Sequence, residues 1–161
     1  MGTLYFKTKA KVARRDRGVT LLEMIIVISI LLILMGAAVP VVRMSVRRDK
    51  ETELRRDLWE MRDAIDRYHD AANKNLFQIK LGTDGYPPDM DTLVNGVEIA
   101  GGKKMRFLRR VPVDPMTGNT DWGMRSMQDD PKSDSWGGQN VFDVYTKSTA
   151  TALNGTNYKD W

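Results

Sequence analysis

The chain has 161 residues, 42% of them hydrophobic and 29% charged, which is room for one modest domain. It has no cysteine, which excludes a disulfide framework and thiol-based metal or redox chemistry. The formal charge of +4 is unevenly spread. Residues 1–18 hold six of the 25 Lys and Arg and one of the 21 Asp and Glu, so the remainder, with 19 and 20, carries −1 and offers no nucleic-acid footprint.

In residues 1–18, Lys7, Lys9, Lys11, Arg14, Arg15 and Arg17 face only Asp16. Such a segment is read as a processing and topology signal rather than as fold, and it holds its side of a membrane in the cytoplasm. The apolar run over residues 19–42 follows, with Glu23 as its one ionisable residue. As a helix rising about 1.5 Å per residue it is long enough to cross a hydrocarbon core of about 30 Å. A carboxylate inside that core costs roughly 2.5–3.5 kcal/mol at a helix centre and less near an end. Glu23 is therefore a functional candidate in need of a partner, unless it lies at the headgroup level, where the cost is small.

The basic leader, Gly18, and then Val19-Thr20-Leu21-Leu22-Glu23-Met24-Ile25-Ile26 resemble the prepilin signal shared by type IV pilins and type II secretion pseudopilins. In that family a prepilin peptidase cuts after the Gly, here Gly18, and methylates the new N-terminus, here Val19. The family usually has Phe or Met at that place, so Val19 is a departure. The resemblance gives Glu23 a partner in the α-ammonium of a neighbouring subunit's Val19, and it places Thr20 with Glu23 in the assembly segment. It implies no enzyme activity. The implied partners are further copies in a helical filament, minor pseudopilins, an inner-membrane assembly platform and the peptidase. An ordinary secretory signal cut near Gly36-Ala37-Ala38 is the rival; the apolar run is longer than the usual 7–15 residues, and Glu23 is foreign to one.

Pro40 removes a helical hydrogen bond and crowds the preceding turn, so a kink or local loosening is expected between Gly36 and Pro40. Prolines at this place in the family let the packed helix bend or partly melt; a plain kink at the membrane boundary is the alternative. Beyond it Val42, Val46, Leu54, Leu58, Met61, Ile65 and Tyr68 trace one stripe of an amphipathic helix. Its other faces carry mixed charges at spacings that stabilise a solvated helix and permit pairing between subunits. The helix is expected to end near Ala72-Asn73-Lys74-Asn75.

A Gly- and Pro-punctuated loop over residues 82–89 leads to a short helix capped by Asp89 and ended by Asn95-Gly96. The Tyr86-Pro87-Pro88-Asp89-Met90-Asp91-Thr92-Leu93 string resembles the segment after the long helix in major pseudopilins. Gly101-Gly102-Lys103-Lys104 reads as a loop. The two prolines of Val111-Pro112-Val113-Asp114-Pro115 exclude a central strand, and this stretch resembles the family's extended Leu-Pro-x-Asp-Pro run. Residues 117–119 form a turn, residues 122–127 a strand, residues 129–138 a polar loop containing Trp136, and residues 141–146 a second strand. The tail ends on Trp161, as major pseudopilins end on an aromatic residue. Short strands bury no face alone and must pack on the helix stripe. The expected fold is α+β: a long N-terminal helix, transmembrane in its first half and amphipathic in its second, packed against a small antiparallel sheet.

The expected parts are the leader (1–18), the transmembrane and assembly helix (19–42), the amphipathic helix (43–73) and the head (74–161). No phosphate loop, HExxH pattern or nucleophile elbow occurs. His69 reads as a surface or head-contact residue. Asp129, Asp130 and Asp134 read as a solvated loop because they lack EF-hand spacing. Pseudopilins hold calcium in an Asp-rich loop near the C-terminus; here that segment offers only Asn154, Asn157 and Asp160, so no cofactor is carried over. The expected product is a filament subunit, most closely a type II secretion major pseudopilin. It would be single-pass in the inner membrane, with its N-terminus in the cytoplasm and its head in the periplasm. A type IV pilin for adhesion, motility or DNA uptake, and a singly anchored periplasmic binding domain, are the alternatives.

Overall fold

Helix α1 (Leu21–Asn73) starts where the chain can cap it. The Thr20 hydroxyl accepts the Glu23 backbone N–H at 3.2 Å, and the Thr20 carbonyl accepts that of Met24 at 3.1 Å. This is the first half of a Thr-x-x-Glu capping box, with the acid of the first turn on the positive end of the helix dipole. The computed structural model describes residues 18–161, apart from the side chains of residues 37–41. The chain divides into two units, one ending at Val42 and the other running Arg43–Trp161.

In the first unit every apolar side chain described from Leu21 to Met35 is 45–81% exposed. A helix apolar on all sides has no water-facing side, so it needs lipid or protein around it. Among the described residues no helix is long and apolar enough to cross a membrane. The described apolar stretch, residues 21–36, spans about 24 Å; the apolar sequence itself continues to Val42. The helical assignment passes through Gly36 and Pro40, but the Pro40 side chain lies outside those described, as does the leader over residues 1–17.

In the second unit the helix buries one side. Leu54, Leu58, Met61, Ile65 and Tyr68 are at most 3% exposed and meet Leu93, Phe107, Leu108, Trp122, Val141, Val144 and Tyr158 in a single core. The stripe is shorter than its pattern suggests: Val42 and Val46 are 60% and 50% exposed. Ala64, Ala71 and Ala72, whose small size gives a weak apolar signal, are buried instead. The helix ends in a Schellman motif. Leu76 N–H donates to the Ala71 carbonyl and Asn75 N–H to that of Ala72, with Asn75 left-handed at φ 53°.

Helix α2 (Met90–Asn95) is capped by Asp89, whose Oδ1 accepts both the N–H and the hydroxyl of Thr92 at 2.7 Å. Gly96 closes it at φ 77°, where a Cβ would stand 2.5 Å from the Met105 carbonyl oxygen. Strands β1 (Val97–Ile99) and β2 (Lys103–Met105) then form an antiparallel hairpin. The expected loop over residues 101–104 is thus corrected. Of these four residues Gly101 and Gly102, both with positive φ, are in the turn with Ala100, while Lys103 and Lys104 pair with Ile99 and Glu98. Their exposed lysines hid the strand, because a hairpin on the head's surface need not alternate apolar residues.

Strands β3 (Gly123–Arg125) and β4 (Asp143–Tyr145) form a second antiparallel pair, and a 3-10 turn, η1 (Tyr158–Asp160), ends the chain's ordered elements. The architecture is α+β. Among the described residues there are two separate two-stranded sheets rather than one, and the shared core with α1 supplies the burial that neither pair has alone.

Candidate functional site

Gly18, Val19 and Thr20 are exposed and non-helical, immediately before the first turn of α1. The Gly18–Val19 peptide bond therefore lies in exposed, non-helical backbone, and nothing stands within 4 Å of where a Gly18 Cβ would be. Helical hydrogen bonding would protect a bond from a peptidase; here the Thr20 cap holds the helix off by two residues. The Thr20 hydroxyl serves the Glu23 N–H, and the exposed Glu23 carboxylate has no hydrogen bond or ion pair among the described residues. Residues 18–23 thus present an exposed non-helical bond, a cap and an unpaired acid in succession. Inside the helix, Ser29 returns its hydroxyl proton to the Ile25 carbonyl at 2.7 Å, so its polar group needs no outside partner.

Residues 13–39 carry the prokaryotic N-terminal methylation motif. This motif is typical of type IV pilin-like proteins, which a prepilin peptidase processes and which are anchored by the N-terminal helix. The match spans Gly18, Val19, Thr20, Glu23 and Gly36. No curated protein and no solved structure matched the chain.

The other candidate residues are occupied structurally. His69 is half-buried, stacks on Tyr86 at 4.2 Å with a 9° interplanar angle, and lies near the Asn73 amide. Asp129 accepts the Ser126 and Gly137 N–H groups at 2.7 and 3.0 Å, and these hold its carboxyl below the usual range. Asp130 accepts the Lys132 N–H and Asp134 pairs with Lys159. Asn157 donates to Asp160 at 3.3 Å, and Asn154 accepts from Thr156. Among the described residues no three His, Asp or Glu converge as a metal site.

Two polar assemblies escaped the sequence reading. Asp114, fully buried, accepts the Met116 N–H at 2.8 Å and the Thr117 hydroxyl at 3.0 Å, and it also bonds the buried Thr146 hydroxyl. Arg62 on α1 donates to the Asp143 carboxylate at 2.7 Å and to the Val144 and Trp161 carbonyls at 3.2 and 2.7 Å. Nearer the start of the unit, Glu51 Oε1 accepts both the Tyr158 hydroxyl and the Leu153 N–H at 2.8 Å. Arg62 and Glu51 fasten the tail to α1, while Asp114 ties residues 116 and 117 to Thr146. They are scaffolding, and none converges on a reactive centre.

Proposed function

We propose that this chain is the major pseudopilin of a type II protein secretion system. It is a structural subunit cut after Gly18 by prepilin peptidase and anchored in the inner membrane with its head in the periplasm. The reading is carried by the methylation motif laid over Gly18 and Glu23, with Glu23 the lone charge in the apolar run. The freed Val19 amine of one copy pairs with Glu23 of the next. In a low-dielectric layer opposite charges attract strongly, and each relieves the other's desolvation. A copy docked out of register leaves both unpaired, so the pair sets the axial stagger. Identical rods joined by a rotation that does not close grow as an open filament. Minor pseudopilins and the inner-membrane platform start and drive that growth. A pseudopilin is favoured over a surface pilin by the absence of a cysteine pair for a C-terminal disulfide loop and by the near-neutral charge beyond residue 18.

The test is made in cells that carry a type II secretion machine. The purified protein should begin at Val19, and deletion of the chain should abolish export. Glu23→Ala should leave it processed and in the membrane but unable to form filaments. A product beginning at Val39, or normal filaments from Glu23→Ala, would refute the reading. Surface fibres with export intact would point to a type IV pilus instead.

A further inference from the structure

Around α1 in the second unit, two exposed flanks differ in chemistry. On one, Trp59 is 68% exposed, the most exposed tryptophan described, and borders a groove of about 650 Å³ with Arg55 and Trp161. The Arg55 guanidinium lies 3.7 Å from the centre of the Trp161 ring. A guanidinium stacked in this way keeps its in-plane N–H groups free for an acid. Further along the same side Asp66 and Asp70 are exposed, with no ion pair among the described residues.

The other flank is a groove of about 520 Å³ between α1 and residues 111–113, lined by Glu53, Glu60, Arg109, Arg110 and the Arg56–Asp57 ion pair, whose own charges cancel. Glu53, Glu60, Arg109 and Arg110 are exposed, and none has an ion-pair partner among the described residues. At 3.6 residues per turn, Trp59 and Glu53 point about 120° apart around the helix, and the two grooves have no lining residue in common.

We propose that these flanks are the two halves of one contact between successive copies of this chain, with Trp59 of one copy seated in the groove beside residues 111–113 of the next. The inference rests on the filament reading and adds to it the surface through which the heads meet. The occupant follows from charge and shape. Arg55 faces Glu53 and Glu60 of the neighbour, while Asp66 and Asp70 face its Arg109 and Arg110, so both signs are matched in one orientation. Trp and Arg are the residues in which interface energy concentrates, and an aromatic ring buries about 150–250 Å² when covered. Because the halves lie on different sides of one helix, each copy offers a free half after docking. Such a heterologous contact propagates instead of closing into a dimer.

The chain has no cysteine, so Trp59→Cys combined with Val113→Cys puts one thiol on each flank of the full-length protein. In cells that assemble it, oxidation should give a ladder of linked dimers, trimers and longer species from the double variant and dimers at most from either single variant. As a second arm, Arg55→Glu should abolish filaments, and Glu53→Arg with Glu60→Arg in the same chain should restore them. Processing to Val19 stays unchanged throughout. Filaments from the unaltered chain, with no ladder from the double variant and normal assembly by Arg55→Glu, overturn the flank contact and leave the filament standing. An unaltered chain that stays monomeric in those cells overturns both.

Discussion

Replacing Asp114 with Ala tests how the head is held together. The carboxylate is fully buried and takes hydrogen bonds from Met116, Thr117 and Thr146, which ties the chain after Pro112 to the end of β4. Hydrogen bonds to a charged acceptor contribute about 1.5–3 kcal/mol each, and a buried donor left unsatisfied costs about 1–3 kcal/mol. Thr146 is fully buried and its hydroxyl proton would lose its acceptor, although its oxygen still accepts the Ser148 N–H, whereas Thr117 keeps Asn119 as a partner. Non-additivity among neighbours lowers the sum, which gives an expected loss of about 3–5 kcal/mol for Asp114→Ala, near the top of the range for single substitutions. For a unit of this size each kcal/mol lowers the melting temperature by roughly 4 °C, so the expected drop is about 12–20 °C. Asp114→Asn keeps the shape and one accepting oxygen, and its amide can donate to Thr146; it should lose less than half as much. The assay is thermal melting of the purified full-length protein in detergent, followed by tryptophan fluorescence. Trp122 reports directly, because its indole donates to the Pro112 carbonyl at 2.9 Å within the same loop. A drop under about 4 °C for Asp114→Ala, or equal drops for Ala and Asn, would refute the reasoning.

Gly123→Ala should destabilise the head by about 1–3 kcal/mol through overpacking, because a Cβ there would stand 2.3 Å from the Tyr145 ring, itself covered by Arg125; an unchanged melting temperature would contradict this. Asp57→Asn should stabilise at neutral pH. Burial pushes the Asp57 carboxyl above its usual range, Arg56 opposes that, and Glu53 and Glu60 reinforce it. A folded-state pKa above the unfolded one makes ionisation destabilising, so the penalty is absent below the unfolded pKa and grows as pH rises through the folded one. The gain from Asn should vanish below about pH 4, and a gain of equal size on both sides of that pH would refute the cause. Arg62→Ala should cost about 1–2 kcal/mol, since its partly exposed ion pair is screened, and should open the tail to proteolysis; a tail as resistant as before would show that Glu51 and Tyr158 suffice to hold it.

Much of the candidate site was legible because its residues are contiguous. Gly18, Val19, Thr20 and Glu23 are read off as one string, and the capping box between Thr20 and Glu23 was available in the same spacing. The core half of α1 was legible from its three- and four-residue period, and α2 from Asp89 before it and Gly96 after it. The hairpin β1–β2 was not, since three-residue strands with exposed lysines show no alternation. Asp114 is far from Thr146 in the chain, and Arg62 farther still from Asp143. No local pattern marks such pairs.

The amino-acid order alone therefore determined which segment is apolar on all sides, which acid stands alone in it, and which side of the second half of α1 is buried. These depend on periodicity and local backbone chemistry, which are properties of neighbours in sequence. Only the tertiary structure decided which carboxylates became internal fasteners, how the strands paired, and that Trp59 and the groove beside residues 111–113 stand on different flanks of one helix. Those are set by which distant surfaces exclude water together, and one residue's neighbours in the chain carry no record of them.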